Sequence, residues 1–251
     1  MAFGLGLANF LMSYSVQPEC TETLGAQLMS GCSNMAFFAS VFAALFLGTD
    51  HSNGTIRNKL IVGHKRYNIY LSNLITTAAG GLLIMAAVWT GVLITGLCLG
   101  GKIGMPAGEL ALKMLICVGA IIAISAIFTL LGTILSSKST IVTITLVSTF
   151  VLFIGAAVIE SLLAEPEYVQ SYEMAVNGSF VQTEPMLNPI YVSGVKRDIL
   201  MTVNEVLPSG QIMQMEIGIG RHAELMPLYS LGVLTVVTAV GALVFRKKDL
   251  K

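Results

Sequence analysis

Few side chains in this chain are of types that carry out chemistry, and their spacing removes most of what they could do. The stretch 96-GLCLGGKI-103 approaches the pattern G-x-x-x-x-G-K-[ST], in which backbone N–H groups and a lysine cradle phosphates while a hydroxyl holds Mg²⁺. Ile103 stands where that hydroxyl is needed, and the stretch follows an apolar run instead of a strand, so it reads as a decoy. His51, His64 and His222 fall on separate connecting segments, which gives no metal-ligand cluster. Cys98 and Cys117 lie in apolar runs and read as small packing residues. Cys20 and Cys32 share one short segment, either as free thiols or as a disulfide worth about 3 kcal/mol. Glu160 is the one carboxylate inside an apolar run, which makes it a candidate intramembrane polar site, although near the run's end water can reach it. No acid, histidine or activated nucleophile faces another across these runs in a way that suits an intramembrane hydrolase, so the chain is not expected to be an enzyme.

The elements that position these residues are set by composition. Of 251 residues, 55% are hydrophobic and 11% charged, with a mean hydropathy of +0.80. Soluble domains carry about 25% charged residues, so this surface needs lipid to cover it. A net charge of zero offers no basic excess for nucleic acid. Runs of about 20 apolar residues cross a ~30 Å hydrocarbon core as helices. Six such runs occur, at about 1–16, 33–49, 71–99, 114–135, 140–163 and 226–245, none with an internal Lys or Arg. The alternating pattern of a membrane barrel is absent from stretches such as 140-IVTITLVSTFVLFIGAAVI-158, so all are expected to be helices. The expectation is an all-α integral membrane protein with about six spans in one transmembrane domain over residues 1–251. The run at 1–16 lacks a basic flank before it and reads as a shortened first span, not a cleaved signal.

Charge placement orients the spans. Arg57, Lys59, Lys65, Arg66, Lys138, Arg246, Lys247, Lys248 and Lys251 gather on one side, nine of the fourteen basic residues. The positive-inside rule makes that side cytoplasmic, with both termini there, in a multi-pass protein of the cytoplasmic membrane. The opposite side then holds an exterior cap at 164–225 between the fifth and sixth spans. Within it Val195, Ile199, Leu200, Val203, Val206 and Leu207 recur at helical spacing and stop at Pro208. That pattern predicts an amphipathic helix lying on the membrane or on the spans, or else a surface helix packing on its own loop. On the cytoplasmic side, residues 50–70 combine a Ser-Asn-Gly turn with Ile56, Leu60 and Ile61 set against Arg57, Lys59, Lys65 and Arg66. The residues alone are compatible with a plain positive anchor that sets topology.

Four stretches, 50-DHSNGTIRNKLIVGHKR-66, 188-NPIYVSGVKRDI-199, 207-LPSGQ-211 and 245-FRKKDLK-251, together with the order of spans, resemble the type-2 ABC transporter permeases, bacterial exporters that include bacitracin and lantibiotic resistance permeases. Family members usually open with a basic amphipathic segment and a full first span, and neither is intact here. The resemblance implies a transmembrane permease subunit of an ATP-driven exporter for an unidentified substrate, with amphipathic molecules and peptides as the candidate classes. It implies no cofactor on this chain, with ATP and Mg on a separate ATPase subunit. It implies a second permease chain beside the first, as homodimer or heterodimer, since six spans are half of the twelve such exporters use. The loop at 50–70, with Asp50, Gly54, Thr55, Ile56, Arg57, Leu60 and Arg66, is then the element that couples to the ATPase. An ion-coupled secondary transporter is the alternative, which calls for ionisable residues or broken helices near the midplane.

Overall fold

The computed structural model describes residues 24–99, 101–170, 184–217 and 221–248 in full, together with the backbone of strands at Tyr172–Met174 and Phe180–Gln182. The expected span at 1–16 lies outside the described residues, as does Cys20. Each of the other five apolar runs forms a long helix. α1 (Leu24–Met29) and α2 (Cys32–Ser52) together make the first membrane-length segment, with a short break at Ser30 and Gly31. A short helix, α3 (Thr55–Ile61), follows, then the long helices α4 (Arg66–Cys98), α5 (Ala107–Ile134) and α6 (Lys138–Ala164). The last long helix is α9 (Met226–Lys247), entered through a 3₁₀ turn at Ala223–Leu225. The chain is an all-α, multi-pass membrane protein. α4 has 33 residues, about 50 Å at 1.5 Å per residue, so it extends past a ~30 Å core as the length of its apolar run leads one to expect.

α5 lies at the centre, packed against α2, α4 and α9. Lipid is as apolar as these side chains, so close packing and not water exclusion holds the helices together. Small residues permit it: Ala36, Ala39 and Ala43 form one buried stripe on α2. Gly81 of α4 abuts Ile121 and Ala39, and Gly132 of α5 abuts Leu47. Thr77 and Thr129 join α4 to α5 through hydroxyls 3.0 Å apart, the kind of interhelical contact expected of the span threonines. α6 buries a single stripe, Ile141, Thr145, Thr149, Phe153, Ala156, Glu160 and Leu163, and exposes most of the rest.

Reversals of direction divide the molecule into two ends. The loop end holds α3, the turn at 135–137 and the C-terminal end of α9; the cap end holds α1, residues 99–106 and the segment between α6 and α9. At the cap end β1 (Tyr168–Val169) pairs antiparallel with β4 (Met186–Leu187), and β2 (Tyr172–Met174) with β3 (Phe180–Gln182). α7 (Val195–Val206) matches the predicted amphipathic helix and ends before Pro208. Its polarity is turned outward: Val195, Ile199 and Val203 are exposed while Asn204 and Glu205 are buried, which fits an apolar face toward lipid and not toward its own loop. Leu207 takes the extended backbone favoured before proline, and Pro208 then opens α8 (Pro208–Ile217), a position it suits because its missing N–H is not needed there. α8 enters the bundle and packs against α2, α5 and α6.

Candidate functional site

At the loop end, Gly54 and Gly63 have positive φ, 64° and 98°, and bracket α3 with turns that side chains resist. The predicted coupling residues divide between two faces. Ile56 is buried on Ile69, Tyr70 and Phe245, with Leu60 packed at the margin, so the apolar pair anchors α3 to α4 and α9 of its own chain. Asp50 is also buried and takes hydrogen bonds from Lys59 Nζ at 3.5 Å and Asn73 Nδ2 at 3.3 Å, tying α2 to α3 and α4. Arg66 donates through Nη1 to the carbonyls of Phe245, at 3.0 Å, and of Lys248. Lys248 Nζ donates to the carbonyls of Thr133 and Leu135, each at 2.8 Å. These two cations satisfy unpaired carbonyls at the C-terminal ends of α9 and α5 and meet the negative end of each helix dipole. Burial holds the Lys248 ammonium below its usual range. Thr55 is half-buried; Arg57 is exposed, and beside it Ile61 and Val62 are 74% and 78% exposed, with His64, Lys65 and Tyr67.

The cap end is where the structure adds most. Glu160 is buried and its Oε2 accepts a 2.5 Å hydrogen bond from Asn204 Nδ2 of α7. Glu205, next along, is buried too and accepts from the backbone N–H of His222 at 3.1 Å, with His222 Nδ1 at 3.4 Å. Gln211 Nε2 donates to the carbonyls of Glu205 and Met226, and Ser230 Oγ donates to Gln211 Oε1 at 2.6 Å, joining α7, α8 and α9. Ser209 donates to Leu152 O of α6. Glu216 receives Ser33 N–H at 2.8 Å and Ser33 Oγ–H at 2.9 Å, capping the first turn of α2. Burial raises the Glu216 carboxyl above the usual range, and the Ser33 donors partly oppose that. A small enclosed cavity of about 30 Å³ lies among Glu160, Glu205, Gln214, Arg197 and Arg221, room for about one water. Among the described residues, Gln214 Oε1 and Asn204 Oδ1 have no hydrogen-bond partner.

Motifs read in the sequence reappear here as fittings. In 188-NPIYVSGVKRDI-199, Asn188 Nδ2 bonds Glu165 and the Pro166 carbonyl, and Gly194 has φ 62° before α7. Arg197 donates to Leu163 O at 2.7 Å and lies 5.1 Å from the Tyr191 ring centroid, a cation–π contact. In 207-LPSGQ-211, Gly210 lies where any Cβ would run into the Asn204 backbone. Sequence reasoning singled out Glu160 but missed Asn204, Glu205 and Gln214; the signal was a row of polar residues in 204–216 that no surface loop needs to place at helical spacing. The decoy at 96–103 serves α1: the carbonyls of Lys102 and Ile103 accept from Leu24 and Gly25. His51, His64 and His222 remain apart, the first two near the loop end and the third at the cap end. Cys32 is buried, and the sulfur that approaches it belongs to Cys117, at 3.4 Å. The chain matches no known family model and no curated protein.

Proposed function

We propose that this protein is the transmembrane permease subunit of an ATP-driven ABC exporter of the cytoplasmic membrane, with the loop end cytoplasmic and the cap exterior. The observation that carries the reading is the two-faced build of α3. Its inner face, through Ile56, Asp50 and Lys59, is tied to α2, α4 and α9, while Arg57, Ile61, Val62 and Lys65 are presented outward. A push on that outer face is transmitted to three membrane helices, which is what coupling to a moving partner requires. The exposed apolar pair supplies a desolvated anchor and the cations supply charge complementarity to an acidic groove on an ATPase subunit. ATP and Mg belong to that subunit, and a second permease chain completes the translocating pair. The substrate class rests on resemblance alone.

Ile61→Asp and Arg57→Glu test the reading without disturbing the Ile56 core. Both variants should reach the membrane at normal abundance yet lose ATPase co-purification and ATP-dependent efflux. Normal co-purification and normal efflux in both would refute it. Orientation is tested separately: a cysteine at Ser193 should react with an impermeant thiol reagent from outside, and one at Asn58 should not. An ion-coupled secondary transporter is the second reading, and the observation favouring it is the buried Glu160–Asn204 pair beside the small cavity. Efflux that persists without an ATPase and is abolished in Glu160→Gln would select it.

A further inference from the structure

Cys32 opens α2 and Cys117 lies in the first half of α5, 85 residues further along the chain, yet their sulfur atoms are 3.4 Å apart. Both residues are buried in the helix core, 2% and 0% exposed, among Leu28, Met29, Met35 and Trp89. The Cys32 thiol also makes a weak hydrogen bond to Leu28 O at 3.7 Å, four residues earlier in the chain. A disulfide requires about 2.05 Å between sulfurs, so the pair has about 1.4 Å to close, by rotation about χ1 and small shifts of the two helices.

From this juxtaposition we infer that Cys32 and Cys117 form a reversible oxidative cross-link that clamps α2 to α5 at the cap end of the bundle. The oxidant is hydrogen peroxide, small and neutral enough to enter a packed apolar region. One thiol attacks the peroxide O–O bond, passes its proton to the departing oxygen and becomes a sulfenic acid as one water leaves. The second thiol attacks that sulfur, the S–S bond forms and a second water leaves. Two electrons pass from the two sulfurs to one peroxide, which is reduced to two waters, and the two thiol protons end in that water. The bond would close a loop containing α3 and α4, so α2 could no longer move against the central helix. The inference departs from a Cys20–Cys32 pairing, since Cys32 cannot serve both partners.

The test uses the full chain, in membranes and in mild detergent, treated with hydrogen peroxide, quenched, denatured and alkylated with a maleimide. Two of the four thiols should disappear, peptide mapping should recover a Cys32–Cys117 cross-linked pair, and dithiothreitol should restore all four. A Cys20→Ser, Cys98→Ser double variant retains only the pair and should lose both of its free thiols. Cys117→Ser should leave Cys32 open to alkylation after peroxide. Full alkylation of the double variant after peroxide, or recovery of a Cys20–Cys32 peptide from the wild type, would overturn the inference.

Discussion

The two ends of the molecule handle buried polarity in opposite ways. At the loop end the cations Arg66 and Lys248 are placed on backbone carbonyls, so each charge completes a helix that would otherwise end with unpaired acceptors. At the cap end the carboxylates Glu160 and Glu205 are buried, and Glu216 half-buried, among side-chain amides, hydroxyls and backbone N–H groups contributed by other elements. Removing a partner at the loop end exposes a carbonyl near water. Removing one at the cap end leaves an ionisable group inside a packed bundle, which is far more costly. The cap end is therefore built for a fixed arrangement of α6, α7, α8 and α9, and the loop end for outward presentation of α3.

The sharpest break of this comparison uses one glycine from each end. A Cβ at Gly210 would overlap the backbone of Asn204, whereas a Cβ at Gly241 would meet the ring and hydroxyl of the buried Tyr70, a side chain and not backbone. Gly210→Ala should destabilise by about 3 kcal/mol or more, and Gly241→Ala by roughly half that, as overpacking against backbone costs more than against a side chain. Thermal unfolding in detergent, with membrane abundance alongside, checks the order; a larger loss for Gly241→Ala would reverse the picture of a rigid cap and a yielding loop end.

Asn204→Ala strips Glu160 of the Asn204 Nδ2 donor, and a loss of about 2–4 kcal/mol is expected. Glu160→Gln in the same background should recover much of it, because the neutral amide no longer carries a charge into the bundle. Asp50→Asn at the loop end keeps a polar acceptor for Lys59 and Asn73 and should cost about 1 kcal/mol or less. Denaturation midpoints of Asn204→Ala, Glu160→Gln and their double variant complete the cycle at the cap end, and that of Asp50→Asn gives the comparison with the loop end. Equal losses for Asn204→Ala and Asp50→Asn would erase the distinction between the ends.

The smallest effect is one of pH. The Glu216 carboxyl is raised by burial, so the folded state holds its proton more tightly than the unfolded chain. Its contribution is fully present below the ordinary glutamate range and fades as pH rises through the higher folded-state value. Melting temperatures of wild type and Glu216→Gln, measured from about pH 4 to pH 8, should show the wild type losing ground to the variant as pH increases. A difference that is flat with pH, or grows in the wild type's favour, would show that the Ser33 donors outweigh burial.

The two ends were also unequally legible. At the loop end the Ser-Asn-Gly turn and the basic face at Arg57 were legible from local preferences, while the left-handed backbone of Gly54 and the helical form of the segment after it are what the structure adds. What could not be read was which face of that helix turns inward, since Ile56 rather than Ile61 finds Phe245 nearly the whole chain away. In the cap, the helix over 195–206 and its stop at Pro208 were legible from spacing. Its inside-out orientation was not, because an amphipathic pattern states that two faces differ and not which one meets lipid.

By itself the sequence determined what each stretch does with respect to the bilayer. Five described apolar runs became five membrane-length helices because satisfying the backbone within a helix and covering it with apolar side chains are local matters, decided residue by residue. Only the tertiary structure decided which polar groups within and between those runs would meet. α8 is too polar and too short to announce itself as a buried helix, and it becomes one because Asn204, Gln211, Ser230 and Glu216 find partners on other elements. The same holds for Arg66 on the end of α9 and for Cys32 beside Cys117, joined across 179 and 85 residues of chain. Such pairings depend on how whole helices lie against one another, and in lipid that is set by small-residue packing and mutual polar satisfaction, neither of which a hydropathy pattern records.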